Sequence, residues 1–326
     1  MSSQLHGAAA DGRVVFRRRL MRDQLSAFVL QQPPCRIAME ACASAHHWAR
    51  HFASMGHHVQ LISPQFVKPF VKGNKNDGND AEAICEAMQR PNMRFVPVKT
   101  VEQQDIQSLH RICSRLVKER TGLVCQIRAI LAERGIVFAK SISRARREFP
   151  VIAQDLNNPL TPMLRQMMTE LIEELRMLDE RIRVMDRHID QVLQANDAYQ
   201  RLSRIEGVGP KTATAIVAAV GDPNEFKNGR HFAAWLGLVS RQHSSGERLQ
   251  LLGISKRGDK YLRTLLVHGA RAVLRTAQKK NDHKHMWAIE LAARRGPAKA
   301  IVAIVNKMAR VIWVLLAKKE EYRPAI

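Results

Sequence analysis

The stretch Cys35-Arg-Ile-Ala-Met-Glu40, a helix-like segment from His46 to Met55, and His58-Val-Gln-Leu-Ile-Ser63 decide the fold class of the first third of the chain. Two short apolar runs flanking a helical segment read as strand, helix, strand. That alternation builds a sheet with parallel pairs. Ahead of it, Arg13-Val-Val-Phe-Arg-Arg-Arg-Leu20 has strand character after the turn Asp11-Gly12. Residues 1–102 are predicted to form a mixed α/β domain.

Residues 103–198 read as helical, in two stretches. Leu109, Cys113, Leu116, Arg120, Leu123, Ile127 and Ile130 recur at spacings of four and three, with one polar intruder. Leu164, Met168, Leu171, Leu175, Leu178, Ile182, Met185, Ile189 and Val192 keep that rhythm unbroken. Such a seam predicts a coiled coil. Pro150, Pro159 and Pro162 mark the break between the stretches. Either the two fold back on each other or a second protomer completes the seam.

Residues 199–326 are helix-rich. Ile205-Glu-Gly-Val-Gly-Pro-Lys-Thr-Ala213 lies between two helix-like runs. Gly207 and Gly209 permit a tight turn, Pro210 suits the first position of the next helix, and Lys211 adds charge. This is the pattern of a helix-hairpin-helix, which grips DNA phosphate without reading sequence, or of a plain helix corner. Further on, Ser244-Ser245-Gly246 sits in a polar loop. The loop leads through Lys256-Arg257-Gly258 into a helix that Asp259 caps, with Leu262, Leu265 and Leu266 at helical spacing. A helix N-terminus flanked by Lys and Arg attracts phosphate, and a nearby serine can attack one. A loop Ser-Gly is, however, far more often a turn. Lys256, Arg257, Lys260 and Arg263 are candidate phosphate contacts near Ser245, as is Lys211 in the glycine turn; Arg263 suits a solvated helix face equally well. Trp235 and Trp313 sit in apolar surroundings that suit a core.

The 326 residues carry 52 Lys and Arg against 30 Asp and Glu, a formal net charge of +22. From Tyr199 onward, 24 Lys and Arg face only 9 Asp and Glu. A polyanion is the natural partner, and nucleic acid is favoured over membrane because no lipid-anchor motif is visible. The five cysteines show no CxxC spacing, which suits a reducing cytosol and neither a disulfide frame nor a zinc site. His46-His47 and His57-His58 are adjacent pairs, unlike the spacing that puts two imidazoles on one helical face. No signal peptide is visible. The apolar run from Ala300 to Leu316 contains Asn306, Lys307 and Arg310, so it reads as a core helix and not a membrane span. A cytoplasmic location follows.

Asp77 and Asp80 lie in Lys75-Asn-Asp-Gly-Asn-Asp-Ala-Glu-Ala-Ile84. A helix starting near Asp77 would place both carboxylates on one face of its first turn. Glu40, at the end of a short strand, could approach them from the sheet. Convergent carboxylates are what Mg²⁺ needs to polarise a phosphoryl oxygen. The bland alternative is that the two aspartates only favour the helix dipole.

Three ordered pieces carry a resemblance: Ala38-Met-Glu40-Ala41; Asn76-Asp77-Gly-Asn-Asp80-Ala81; and Gly207-Val-Gly-Pro210 followed by Ser244-Ser245-Gly246 and Ser255-Lys-Arg-Gly258. Together they resemble the DEDD transposases of bacterial insertion sequences, the one-ten/eleven-eleven group, over nearly the whole chain. The resemblance implies a RuvC-like (RNase H fold) domain over 1–102, a coiled coil over 103–198 and a serine-bearing transposase domain over 199–326. It implies that Glu40, Asp77 and Asp80, the second to fourth letters of DEDD, bind Mg²⁺. Ser245, directly before Gly246, matches the family's nucleophile, and Ser244 does not. The implied chemistry cuts and rejoins DNA at element ends and target through a covalent phosphoserine. The implied partners are DNA, a structured non-coding guide RNA and further copies of the chain in a dimer or tetramer, where metal and serine from different subunits meet.

The family opens with a strand of the type Gly-Ile-Asp-x-x-Lys, which supplies the first Asp from the centre of the sheet. Here Met1-Ser-Ser-Gln4 already falls within what resembles the next strand, Gln4-Leu-His-Gly7, leading to Asp11-Gly-Arg-Val-Val-Phe16. Asp11, in a hairpin-turn position, is no substitute. The sequence as it stands is expected to lack that first strand, to bind metal poorly and to be impaired. Two other readings therefore stay open: a non-catalytic nucleic-acid-binding remnant, and a Mg²⁺-dependent junction nuclease in which Ser245 is idle.

Overall fold

Strand β1 (Ser2–Ala8) pairs antiparallel with β2 (Val14–Met21) in a computed structural model that describes residues 2–323 apart from Lys75, Phe138 and Glu247. In the turn between them the Asp11 carboxylate accepts from the Arg13 N–H at 2.9 Å, so its charge is spent locally. Then come α1 (Arg22–Leu30), β3 (Arg36–Glu40), α2 (Ala45–Ser54) and β4 (His58–Ile62), with β3 and β4 parallel as the sequence predicts. Helices α3 (Pro64–Val67) and α4 (Asp77–Met88) precede a short β5 (Phe95–Val96), which pairs antiparallel with β4.

The hairpin and the three-stranded sheet share one core. Leu5 and Leu20 from the hairpin pack with Ile37, Met39 and Val59 around Leu25, Val29 and Phe52. On the other side Ala38, Ile62 and Phe95 pack against Ala83 and Ala87 of α4. Among the described residues β1 and β3 do not pair, so the sheet is in two pieces, β1-β2 and β3-β4-β5. These elements form one compact unit, Met1–Val101; Glu102–Ile326 form a second.

The second unit opens with three helices where the sequence predicts two stretches: α5 (Val101–Ala132), α6 (Ile142–Gln154) and α7 (Pro162–Gln194). Pro162 sits at the start of α7 behind the Thr161 cap, but Pro150 lies inside α6 instead of breaking the chain. Fully buried Ala145 and Phe149 hold that helix down, and their packing outweighs the hydrogen bond the proline removes. Helices α5 and α7 run antiparallel within the chain, with Cys113 opposite Asp186 and Arg120 opposite Asp179. Leu116, Leu123 and Ile127 share a core with Met168, Leu175 and Ile182. The intrachain pairing is therefore the one realised. The polar intruder Arg120 meets Asp179 at 3.2 Å, and Arg146 of α6 holds the same buried carboxylate at 2.5 and 2.6 Å.

The remainder comprises α8 (Asp197–Ser203), α9 (Pro210–Val220), α10 (Gly229–Trp235), a hairpin of β6 (Ser240–Gln242) and β7 (Leu251–Ile254), α11 (Lys260–Thr276), α12 (His283–Arg295) and α13 (Pro297–Ala317). By length and composition α13 could cross a membrane. Its Ile304, Val305, Met308 and Ile312 are instead buried with Phe232, Leu236 and Leu266.

Candidate functional site

Gly237 and Gly258 fix the foot of the β6–β7 hairpin. Their φ angles of +74° and +98° lie in the region glycine adopts without strain. A Cβ on Gly237 would come within 1.9 Å of the Arg257 carbonyl oxygen, and one on Gly258 within 2.0 Å of the Trp235 carbonyl oxygen. The Lys256 N–H donates to Gly237 O at 3.1 Å and the Ser255 N–H to Val239 O at 2.7 Å. The cationic turn is thus clamped to the end of α10. Asp259 caps α11 as predicted, accepting from the N–H groups of Tyr261 and Leu262 at 2.7 and 3.1 Å. Lys256, Arg257 and Lys260 are exposed at this turn. Arg263 is half-buried and donates through Nη1 to Leu236 O at 3.1 Å, so it braces the turn from inside.

The tip of the hairpin is open. Ser244 Oγ accepts from the Gln250 N–H at 3.3 Å and so belongs to the turn. Ser245 is bridged through its backbone to Arg248, and no bond to its Oγ is found among the described residues. Leu249, Leu251 and Leu252 are 66, 62 and 39 % exposed beside it, an unusual concentration of bare apolar surface in a polar loop.

The carboxylates lie on the other unit. Asn76, not an aspartate, caps α4 by accepting from the Asn79 N–H at 2.8 Å, which leaves Asp77 and Asp80 in the first turn without a capping task. Along β3 side chains alternate, so Glu40 projects to the same face as Ala38, the face that α4 covers. Yet among the described residues no three His, Cys, Asp or Glu are close enough to hold a metal ion. Within those residues Glu40, Asp77 and Asp80 are not gathered into such a group. Asp77 stands exposed at the helix start, and among the described residues β3 is paired on one edge, with β4.

Around the glycine turn, Gly207 presses on Gly269 of α11: a Cβ on Gly269 would lie 1.9 Å from Gly207 O. Gly207 thus serves helix packing, while Gly209, the N-cap of α9, is unobstructed. Lys211 Nζ pairs with Asp186 at 2.7 Å across to α7. Next to it, buried His110 bonds Thr214 Oγ1 at 3.0 Å and Tyr261 OH at 3.1 Å. The Thr214 hydroxyl donates to Pro210 O at 2.8 Å, so His110 Nε2–H donates to threonine and Nδ1 accepts from tyrosine. Burial, reinforced by Lys211, lowers the His110 pKa to about 4; burial raises that of Tyr261 to about 12. Glu206, one residue before the turn, is held at about 2: burial opposes its charge, but bonds from Lys280, Lys284 and His285 prevail. Sequence reasoning missed the glycine clamp and the His110 network, since both are contacts between residues distant along the chain.

The chain is similar to known transposases over most of its length. A DEDD transposase family model matches residues 4–135, and the model described as "Transposase IS116/IS110/IS902 family" matches residues 199–285. A "Probable family 20 transposase" of Pseudomonas aeruginosa is 48% identical over 324 residues, 98% of this chain and 95% of that protein. The transposase for insertion sequence element IS1111A of Coxiella burnetii is 48% identical over 320 residues, 98% of this chain and 88% of its own length. The transposase for element IS1328 of Yersinia enterocolitica is 40% identical over 314 residues, covering 96% and 93%.

Proposed function

The chain belongs to the IS116/IS110/IS902 transposase family, and from that premise we propose that it recombines DNA with Ser245 as nucleophile. Ser245 Oγ attacks a backbone phosphorus: the Oγ–P bond forms, one P–O ester bond breaks, and the leaving deoxyribose oxygen takes a proton as the serine gives one up. A hydroxyl from another strand then attacks the phosphoserine and releases the serine, so no bond energy is lost to hydrolysis. Lys256, Arg257 and Lys260 hold the phosphate, and Lys211 and Arg263 are secondary contacts, each already engaged within the protein.

The observation that carries this reading is a hydroxyl without a partner among the described residues, on a hairpin whose foot is clamped beside a cationic helix start. The exposed leucines at the tip support a further copy of the chain as the surface it meets, and the +22 charge suits DNA and a structured guide RNA alike. Work on DNA in the cytoplasm is the setting this implies. Family membership implies a divalent cation, Mg²⁺ being the natural ion for carboxylates and phosphate. Among the described residues Glu40, Asp77 and Asp80 do not form a ready site for it. That same observation favours the second reading, a nucleic-acid binder without catalysis. A suicide DNA substrate separates the two: the recombinase leaves a protein–DNA adduct that Ser245→Ala abolishes, and the binder leaves none.

A further inference from the structure

Helix α2 carries a feature that neither the serine nor the carboxylates use. Half-buried Trp48 stacks on buried Phe52, ring centroids 5.2 Å apart and planes 30° from parallel. The Arg22 guanidinium lies over the indole, with Cζ 5.0 Å from the ring centroid. His47 approaches Trp48 edge-on at 5.4 Å, and the His51 ring lies parallel to that of His47 at 6.1 Å. With Met21 and Asp23, the Arg22, His47 and Trp48 side chains line an open cleft of about 470 Å³. Nearby the motif recurs: Arg18 lies 5.4 Å over Phe28, which meets Phe16 edge-on at 5.4 Å.

Flat rings tiered with guanidinium at a solvent-open, cationic rim suit one ligand chemistry: a heteroaromatic ring attached to phosphate. Bases stack on aromatic faces and on Arg planes alike, and cation–π attraction adds to the stack. In a duplex those base faces are hidden. The 5.0 Å between Arg22 and Trp48 is too narrow to admit a base between them, so a base must continue the stack from its open side. We propose that the cleft of Arg22, His47 and Trp48 binds an unpaired base of single-stranded nucleic acid. Arg18, two residues on from Phe16 along the same strand face, holds a flanking phosphate, and the Asp23 carboxylate accepts from an exocyclic amino group. The imidazole pair makes no metal site, since no third ligand joins it among the described residues.

The test uses the full chain and oligonucleotides of one length bearing a single 5-iodouracil: single-stranded RNA, single-stranded DNA and blunt duplex DNA. After irradiation, the peptide carrying Trp48 should be crosslinked by single strands at least fivefold more than by duplex; the RNA and DNA arms identify which strand it prefers. Arg22→Ala combined with His47→Ala should lower that crosslink at least fivefold, with crosslinks to the basic C-terminal region and the thermal midpoint unchanged. Ser245→Ala should leave it intact, which separates this site from the recombination reading. Absence of a crosslink at Trp48 while others form, equal labelling by duplex, or no response to the double variant would each overturn the proposal.

Discussion

The Gly237 α-carbon lies so close to the Arg257 carbonyl oxygen that a methyl group on it would sit 1.9 Å away. Gly237→Ala must therefore open the foot of the serine hairpin, and its φ of +74° adds backbone strain. A loss of about 2–4 kcal/mol is expected in urea unfolding. Adduct formation on a suicide substrate should fall below what that loss of folded protein explains.

Ser244 and Ser245 are neighbours with different tasks. Ser244 Oγ accepts a turn hydrogen bond, and among the described residues Ser245 Oγ does not. Ser244→Ala should keep a measurable adduct, costing about 1 kcal/mol of local order. Ser245→Ala should leave none. Equal loss in both would remove Ser245 from its role.

Asp179 is the buried partner of two arginines. Asp179→Ala strands Arg120 in the helical seam and should cost about 3 kcal/mol by chemical denaturation. Replacing both Asp179 and Arg120 with leucine should recover most of it, because Arg146, 44 % exposed, can turn to water. Failure of the double variant to recover would mean that the pair holds the helices in a way leucine cannot.

His110 gives the fold a pH window. Its pKa is lowered from 6.5 to about 4 in the folded state, so the unfolded chain binds the proton first. Stability from this group is complete above about pH 6.5 and declines as pH falls toward 4. The decline should amount to about 2–3 kcal/mol, read as the difference between wild type and His110→Gln in thermal midpoint from pH 7.5 to 4.5. Glu206 acts lower: its carboxylate, held at about 2, contributes above its ordinary value of 4.5 and is lost as pH falls below that. The two windows overlap only between about pH 4 and 4.5.

Local grammar made much of this fold legible. The strands around Cys35 and His58, the Asp259 cap, Pro210 at a helix start and the apolar seams of α5 and α7 all follow from periodicity or capping over a few residues. What stayed hidden depends on residues far apart in sequence. Nothing near Gly237 announces that it faces Arg257, and nothing near Gly207 announces Gly269. The two arginines that close on Asp179 come from other helices, 59 and 33 residues away along the chain. His47 and His51 stand one helical turn apart, but the adjacent pairs His46-His47 and His57-His58 draw the eye first. Pro150 reads as a breaker because its own chemistry says so, whereas Ala145 and Phe149 decide otherwise. For the carboxylates, order along the chain suggested a cage, but order alone carries no distance.

The Arg120–Asp179–Arg146 knot makes the antiparallel helices a ruler of set length. Sliding one helix past the other by a heptad, about 10 Å, would push a bare charge against leucines. Creep along the seam is thus forbidden, and the pair of helices keeps one register along its whole length.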